Sequence, residues 1–417
     1  MLLKNKLNAL RVYMVFEFFT AFGLKLIWLV AMVHLALLGF DPLQLVLVGT
    51  ALEVGAFLFE VPTGVIADVY SRRLSVILGV FTLGISYSAL ALTTTFEIVL
   101  ITQFVAGIGY TFLSGATSAW LADEIGEKEA GEAYLSAAQV ANIASILGIF
   151  GAVLLGSQSM PLSMLCGGIT LIALGIFLSL TMPEHGFMPT PKEDRETFRD
   201  MGRTFSAGLK AIRARPVLVM LVGVTFLFGA YSEGFDRLWQ LHVVTNFNLP
   251  KFANFDLVLW FGVIGLVSSL LFLGVTKVIR KRIDTTNGAK IAQALGVINL
   301  GMMVMILVFA LAENFLLAMI AFWTLGVLRG LIHPLQQAWM NQGLESSSRA
   351  TVLSMISQTD AIGQIGAGPT VGLIGQRFGV RIALACGAII LIPVAWLYAR
   401  TVNHQNITVI PSSESVG

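Results

Sequence analysis

Long apolar runs recur along this chain, broken by short polar stretches, and the spacing of those breaks sets the elements. A bilayer core of about 30 Å takes about 20 helical residues to cross. The pattern predicts helical spans at 12–38, 43–67, 74–94, 97–121, 134–156 and 161–182, then at 216–243, 254–275, 289–312, 314–340, 349–374 and 379–400. Between the two sets of six, the stretch 183–215 carries Pro183, Pro189, Pro191 and a concentration of charge. Prolines and charges at that density suit a linker with a short amphipathic helix on the membrane surface. The expected organisation is a six-helix bundle over 1–182, a cytoplasmic linker over 183–215, a second bundle over 216–400 and a disordered cytoplasmic tail over 401–417.

Composition turns this pattern into a class. Of the 417 residues 56% are hydrophobic and only 12% charged, with a mean hydropathy of +0.83. A soluble globular chain of this length has no use for so much apolar surface. Helices satisfy their own backbone polar groups in lipid, so the expectation is an all-α polytopic membrane protein with twelve transmembrane helices. Lys4, Lys6 and Arg11 precede the first run, but the run continues to about Leu38 without a small-residue cleavage site, so it reads as a retained span.

Lys and Arg then give an orientation, because basic loops near span ends stay cytoplasmic. Lys4, Lys6, Arg11, Arg72, Arg73, Lys128, the basic residues of the linker, Lys277, Arg280, Lys281, Arg282, Lys290, Arg349 and Arg400 fall on one side; Lys251, Arg377 and Arg381 fall on the other. Both termini are expected in the cytoplasm and the protein in the cell membrane. The net charge of +2 follows topology and forms no patch for nucleic acid. Cys166 and Cys386 sit inside apolar runs and suit neither a disulfide nor a metal. No nucleotide-binding glycine loop, paired metal-ligand motif or nucleophile elbow is present, which argues against an enzyme, a cofactor, a bound metal or ATP-driven export.

The halves resemble each other. Cys166-Gly167-Gly168-Ile169 lines up with Cys386-Gly387-Ala388-Ile389, Ala119-Trp120 with Ala338-Trp339, and Leu135-Ser136 with Leu353-Ser354, all at nearly one separation. A shared offset across three spans predicts a six-plus-six duplication, the construction of many transporters.

Where the second span meets a polar loop, Glu60-Val61-Pro62-Thr63-Gly64-Val65-Ile66-Ala67-Asp68-Val69-Tyr70-Ser71-Arg72-Arg73 resembles the major facilitator signature G-x-x-x-D-x-x-G-R-[KR], with Ser71 in place of the second glycine. The resemblance implies the twelve-helix fold of that superfamily and a functional monomer. It implies that Asp68 with Arg72 or Arg73 belongs to a cytoplasmic charge network that opens during alternating access, with Asp123 as acidic partner. Gly64 is expected to permit close helix approach. In the fourth span Gln103-Phe104-Val105-Ala106-Gly107 matches a pattern in which many proton-coupled members carry arginine at the Gln103 position. Gly148 to Gly156 is glycine-rich like the antiporter motif, and the Gly-Pro pair of that motif stands instead at Gly368-Pro369.

Charges inside spans are expensive and mark function by default. The family's first, fourth, seventh and tenth helices line a central cavity. That placement makes Lys25, Phe22, Gln103, Tyr110, Tyr231, Arg237, Trp239, Arg329 and His333 the substrate-cavity candidates. Phe18, Trp28, Phe235 and Trp323 add rings that suit a lipophilic or cationic guest. Glu233 and Asp236 lead the proton-coupling candidates, followed by Glu17, Glu60 and Asp360. A competing reading makes Glu233 or Asp236 the structural counter-ion of Arg237 or Arg329.

The resemblance is to bacterial drug:proton antiporters: secondary active efflux of small lipophilic compounds such as drugs, with protons as coupling ion and the bilayer as surroundings. Uptake of a polar metabolite or sugar, lipid flipping, and a non-transporting receptor or assembly protein are the alternatives.

Overall fold

The computed structural model describes residues 2–189, 206, 208–210, 212–250, 256–279, 287–341 and 346–407, and among them no strand occurs. Most of the expected linker, the end of the expected tail, and Lys251, Arg280, Lys281 and Arg282 lie outside the described residues. The first half is built from α1 (Leu2–Trp28), α2 (Ala31–Leu37), α3 (Pro42–Val69), α4 (Arg72–Leu92), α5 (Phe96–Leu113), α6 (Ala116–Ile125), α7 (Glu127–Gly156) and α8 (Met160–Thr181). The second is built from α9 (Pro216–Asn246), α10 (Leu257–Ile279), α11 (Gly288–Leu311), α12 (Phe315–Asn341), α13 (Ser346–Phe378), α14 (Val380–Ile390) and α15 (Ile392–Ile407).

Local chemistry explains where these helices start and stop. Asp41 accepts from the Gln44 amide at 2.9 Å while the Gln44 side chain accepts from the Asp41 amide at 3.0 Å, and Pro42 opens α3. This reciprocal cap satisfies two donors that the first turn leaves open. Gly115, at φ 71°, divides the fourth span into α5 and α6, a left-handed conformation that a residue with a Cβ resists. The bends between α1 and α2, and between α14 and α15, likewise divide single spans. Among the described residues, eleven helices are long and apolar enough to cross a membrane. With α13, which is 33 residues long but more polar, the described residues make up the twelve expected spans.

The chain groups into two compact units, one from 1–197 with 237–269, the other from 198–236 with 270–417. In the first, α3 packs along α5, α4 along α5 and α8, and α1 along α7 and α8; in the second, α11 packs along α12, α14 and α15. Small residues bring these helices together, since lipid gives no hydrophobic drive for helix association. A Cβ on Gly107 would stand 2.1 Å from the Leu52 carbonyl oxygen, and one on Gly55 2.2 Å from that of Phe104, so α3 and α5 cross backbone to backbone. Gly64 has a different position. A Cβ there meets nothing within 4 Å, so the close approach expected of Gly64 belongs to Gly55.

The duplication is visible in packing. Gly167 lies against Gly23 of α1, where a Cβ would come within 2.6 Å of the carbonyl oxygen; its sequence counterpart Gly387 lies against Tyr231 of α9, within 2.9 Å of the ring. Each matched glycine therefore seats the last span of its half on the first. A Cβ on Gly148 in α7 would stand 3.0 Å from the Phe22 carbonyl oxygen, and one on Gly363 in α13 2.1 Å from that of Phe226, repeating the crossing of first and fifth spans.

Candidate functional site

Three polar clusters interrupt the apolar packing. The first sits where α3 gives way to α4. Arg72 forms an ion pair with Asp123 of α6 at 2.5 Å, and Asp68, one turn earlier, is 3.7 Å from the same guanidinium. Arg72 also lies 5.8 Å from the centre of the Phe187 ring. Ser71, the departure from the signature, has φ −173° and needs no glycine; its hydroxyl caps α4 by accepting from the Leu74 amide at 2.8 Å. Glu184 completes the cap, accepting from the Ser71 hydroxyl at 2.7 Å and the Arg73 amide at 2.9 Å, so a carboxylate stands at a helix N-terminus. The Arg73 guanidinium donates to the Ser179 carbonyl at 2.6 Å and does not join the acidic pair.

Residues just after α8 are tied to α6. Trp120 donates its indole N–H to the Pro183 carbonyl, and the Glu124 carboxylate accepts from the amides of His185 and Gly186. A Cβ on Gly186 would come within 2.1 Å of the Asp123 carbonyl oxygen. Gly186→Ala is therefore expected to lower stability by about 1–3 kcal/mol through overpacking. A fall in the melting temperature of the purified protein reads this out, and an unchanged value removes the argument.

The second cluster is in the first unit. Trp28 donates to the Tyr110 hydroxyl at 3.3 Å, the Tyr110 and Tyr87 hydroxyls are 3.1 Å apart, and the Arg237 guanidinium lies 5.6 Å from the centre of the Trp28 ring. The Arg237 and Glu53 charges both fall within Coulombic range of Tyr110. Phe18 and Phe22 stack at 6.3 Å along α1, and Lys25 follows one turn after Phe22. Trp239 meets Phe261 edge to face at 5.6 Å.

The third cluster is in the second unit. Arg329 of α12 holds Asp236 of α9 in a two-pronged pair at 2.5 and 2.8 Å, geometry that a planar guanidinium favours. Its charge also lies 5.5 Å from the Tyr231 ring centre and within Coulombic range of Asp360. Asp360 accepts from Gln364 at 2.7 Å, one turn along α13. The Arg329 and Asp236 side chains remain 31% and 44% exposed, so the pair faces an open space.

The other sequence candidates divide between these places and the interior. Glu60 accepts from Ser114 at the α5–α6 break at 2.8 Å. Glu17 lies beside the Tyr13 hydroxyl on α1. Glu233, Gln103 and Tyr231 are each 1% exposed, and His333 is exposed. Gln103 and Tyr231 thus lie in the packed interior, and their buried polar atoms (both amide atoms of Gln103, the Tyr231 hydroxyl) lack hydrogen-bond partners among the described residues. Phe235 belongs to an aromatic core with Tyr231, Phe309 and Phe322. Asp236 and Arg237 adjoin in sequence but serve different partners. Sequence reasoning missed Glu184, Glu124, Tyr87 and Gln364. None of the four carries a local pattern in the sequence.

A shallow apolar groove of about 440 Å³ in the second unit is lined by Phe226, Gly366, Thr370, Val371 and Ile389 among others. It carries no charged side chain and shares no residue with the Arg329 cluster. Chemistry points to the charged clusters instead. Among the described residues no group of His, Cys, Asp and Glu could hold a metal ion.

Among the described residues, twelve spans in two related halves, with a charged pair held between two of them, define a polytopic carrier of small solutes. The chain belongs to the Major Facilitator Superfamily, whose family model matches residues 13–365. It is a membrane transporter and not an enzyme. It is 23% identical over 364 residues to the uncharacterized MFS-type transporter YxaM of Bacillus subtilis (strain 168), covering 85% of this chain and 86% of that one. Among solved structures it is similar in fold to the nucleoside transporter NupG (TM-score 0.71, 14% identity, 95% of this chain and 98% of that one). A POT family transporter in complex with a thioalcohol conjugated peptide is similar in fold too (TM-score 0.72, 14% identity, 96% of each chain).

Proposed function

We propose that this transporter is a proton-coupled exporter of small lipophilic organic compounds, working as a monomer by alternating access in the cytoplasmic membrane with both termini in the cytoplasm. The observation that carries the coupling is the two-pronged pair of Arg329 with Asp236, with a second carboxylate, Asp360, within Coulombic range of the same guanidinium. One negative charge is left over, and a proton arriving from the open space neutralises it. Moving that proton between Asp236 and Asp360 changes which carboxylate Arg329 holds, and so links protonation to helix position. The aromatic residues of α1 give an apolar guest a surface to lie on. Asp68, Arg72 and Asp123 act as the cytoplasmic latch, because their bonds join α3, α4 and α6 at one end of the bundle.

Proton movement in energised inverted vesicles tests the reading with a panel of lipophilic drugs. Drug addition is expected to release protons from the lumen, and Asp360→Asn to abolish that release while leaving drug-for-drug exchange in place. Proton movement in the direction of the solute would make the protein a symporter. Transport indifferent to any proton gradient would overturn coupling altogether.

A further inference from the structure

Resting on the transport reading above, we infer that the substrates carry an anionic group and that Lys25 recognises it. Lys25 lies near the middle of the first span, inside the expected hydrocarbon core, and is half-buried. Among the described residues no carboxylate lies within ion-pairing distance of it. In the second unit the charge of Arg329 is matched by Asp236; that of Lys25 is not matched in this way. A cation placed in a membrane span at such cost requires a counter-charge, and a ligand can bring one.

Local packing presents the ammonium deliberately. Gly148 of α7 faces the Lys25 stem so closely that a Cβ there would come within 2.8 Å of the Lys25 Cβ. Glycine leaves room for the stem to lie against α7. The equivalent crossing in the second half, between Phe226 and Gly363, has Gly229 three residues after the phenylalanine where the first half has Lys25. The repeat therefore packs without a cation at this position, and Lys25 is an addition to the scaffold.

Its neighbours along α1 complete the recognition. Phe22 lies one turn before Lys25 and Trp28 one turn after, so both rings flank the ammonium on the same side of the helix. The hydroxyls of Tyr110 and Tyr87 and the Trp28 N–H hold three protons, yet only two hydrogen bonds join the three groups. One hydroxyl proton is left over among them. An ammonium, a spare hydroxyl donor and two rings together fit an aromatic or alkyl carboxylate, its acid on Lys25 and its apolar body against Phe22 and Trp28.

The test uses full-length protein in proteoliposomes under an imposed proton gradient, with three probes of one shape: 2-naphthoate, 2-naphthamide and 2-naphthylmethylammonium. Naphthoate is expected to move at least about tenfold faster than naphthamide, because a site built for a polar group discriminates strongly against its absence. Lys25→Gln should bring naphthoate down to the naphthamide rate without altering naphthamide, and Lys25→Arg should keep most of the preference. Lys25→Gln protein that carries naphthoate at the wild-type rate overturns the inference and leaves the transport reading intact. So does wild-type protein that prefers the ammonium or the amide. Failure to carry all three probes, with protein shown monodisperse and inserted, overturns both for this substrate class.

Discussion

Arg329→Gln is expected to reduce proton-driven transport to the level of protein-free vesicles, in protein that still inserts and stays monodisperse. The variant leaves Asp236 without its two-pronged partner inside a span, so a fall in melting temperature accompanies the loss. Transport depends on a further property of the pair. Without the guanidinium, Asp236 and Asp360 have no shared cation to exchange, and a proton arriving at either has nothing to displace. Asp236→Asn tests the same link from the acidic side: uncoupled movement of substrate, with unchanged protein yield, is the outcome expected. A variant at Arg329 that keeps a proton-driven gradient of substrate would remove the cluster from the coupling scheme.

The second large effect concerns assembly. Gly107→Leu is expected to leave no monodisperse protein after extraction, and Gly107→Ala to lower stability by more than the roughly 1–3 kcal/mol usual for an inserted methyl group. The reason is that the obstacles are the Leu52 carbonyl oxygen at 2.1 Å and the Ala56 amide nitrogen at 2.8 Å, both backbone atoms. A side chain rotates out of the way; a backbone carries its whole helix with it. Gly64→Ala supplies the contrast, since its new methyl group meets nothing within 4 Å. Replacing a helical glycine there is expected to be neutral or to add up to about 1 kcal/mol of helix propensity. Equal losses at Gly64 and Gly107 in a thermal melt would contradict the packing described for α3 and α5.

How much of this was legible in the sequence follows from which forces leave a one-dimensional trace. Spans did, because lipid demands continuous apolar runs, and the ranges expected for 74–94 and 289–312 fall within two residues of α4 and α11. Breaks inside spans did not: Gly115 is one glycine among 41, and its left-handed conformation marks a break only once the chain is folded. The signature segment led to Asp68, Arg72 and Asp123, and these three are brought together. It also directed attention to Gly64 when the close contact was at Gly55, because helix phase relative to a neighbour is set by packing. For the same reason the sequence left open whether Asp236 would meet Arg237 or Arg329. The two choices differ by the rotation of α9 against α12, which hydropathy does not encode. Glu184 was missed because its role as a cap for α4 arises from the fold and has no local pattern.

The polar character of α13 reaches beyond the finished structure to how it is made. This 33-residue helix carries Gln358, Thr359, Asp360, Gln364 and Pro369 in its middle, and among the described residues it is the one long span that does not meet the hydropathy of the other eleven. A helix of that composition gains little by leaving the translocation channel for lipid alone. Its route into the bilayer depends on company: Gly363 has to seat on Phe226 of α9, already inserted, and α14 has to follow close behind. Synthesis stalled just after α13 should therefore yield a chain held at the channel or discarded, so the apolar span that follows α13 acts as the chaperone of the one before it.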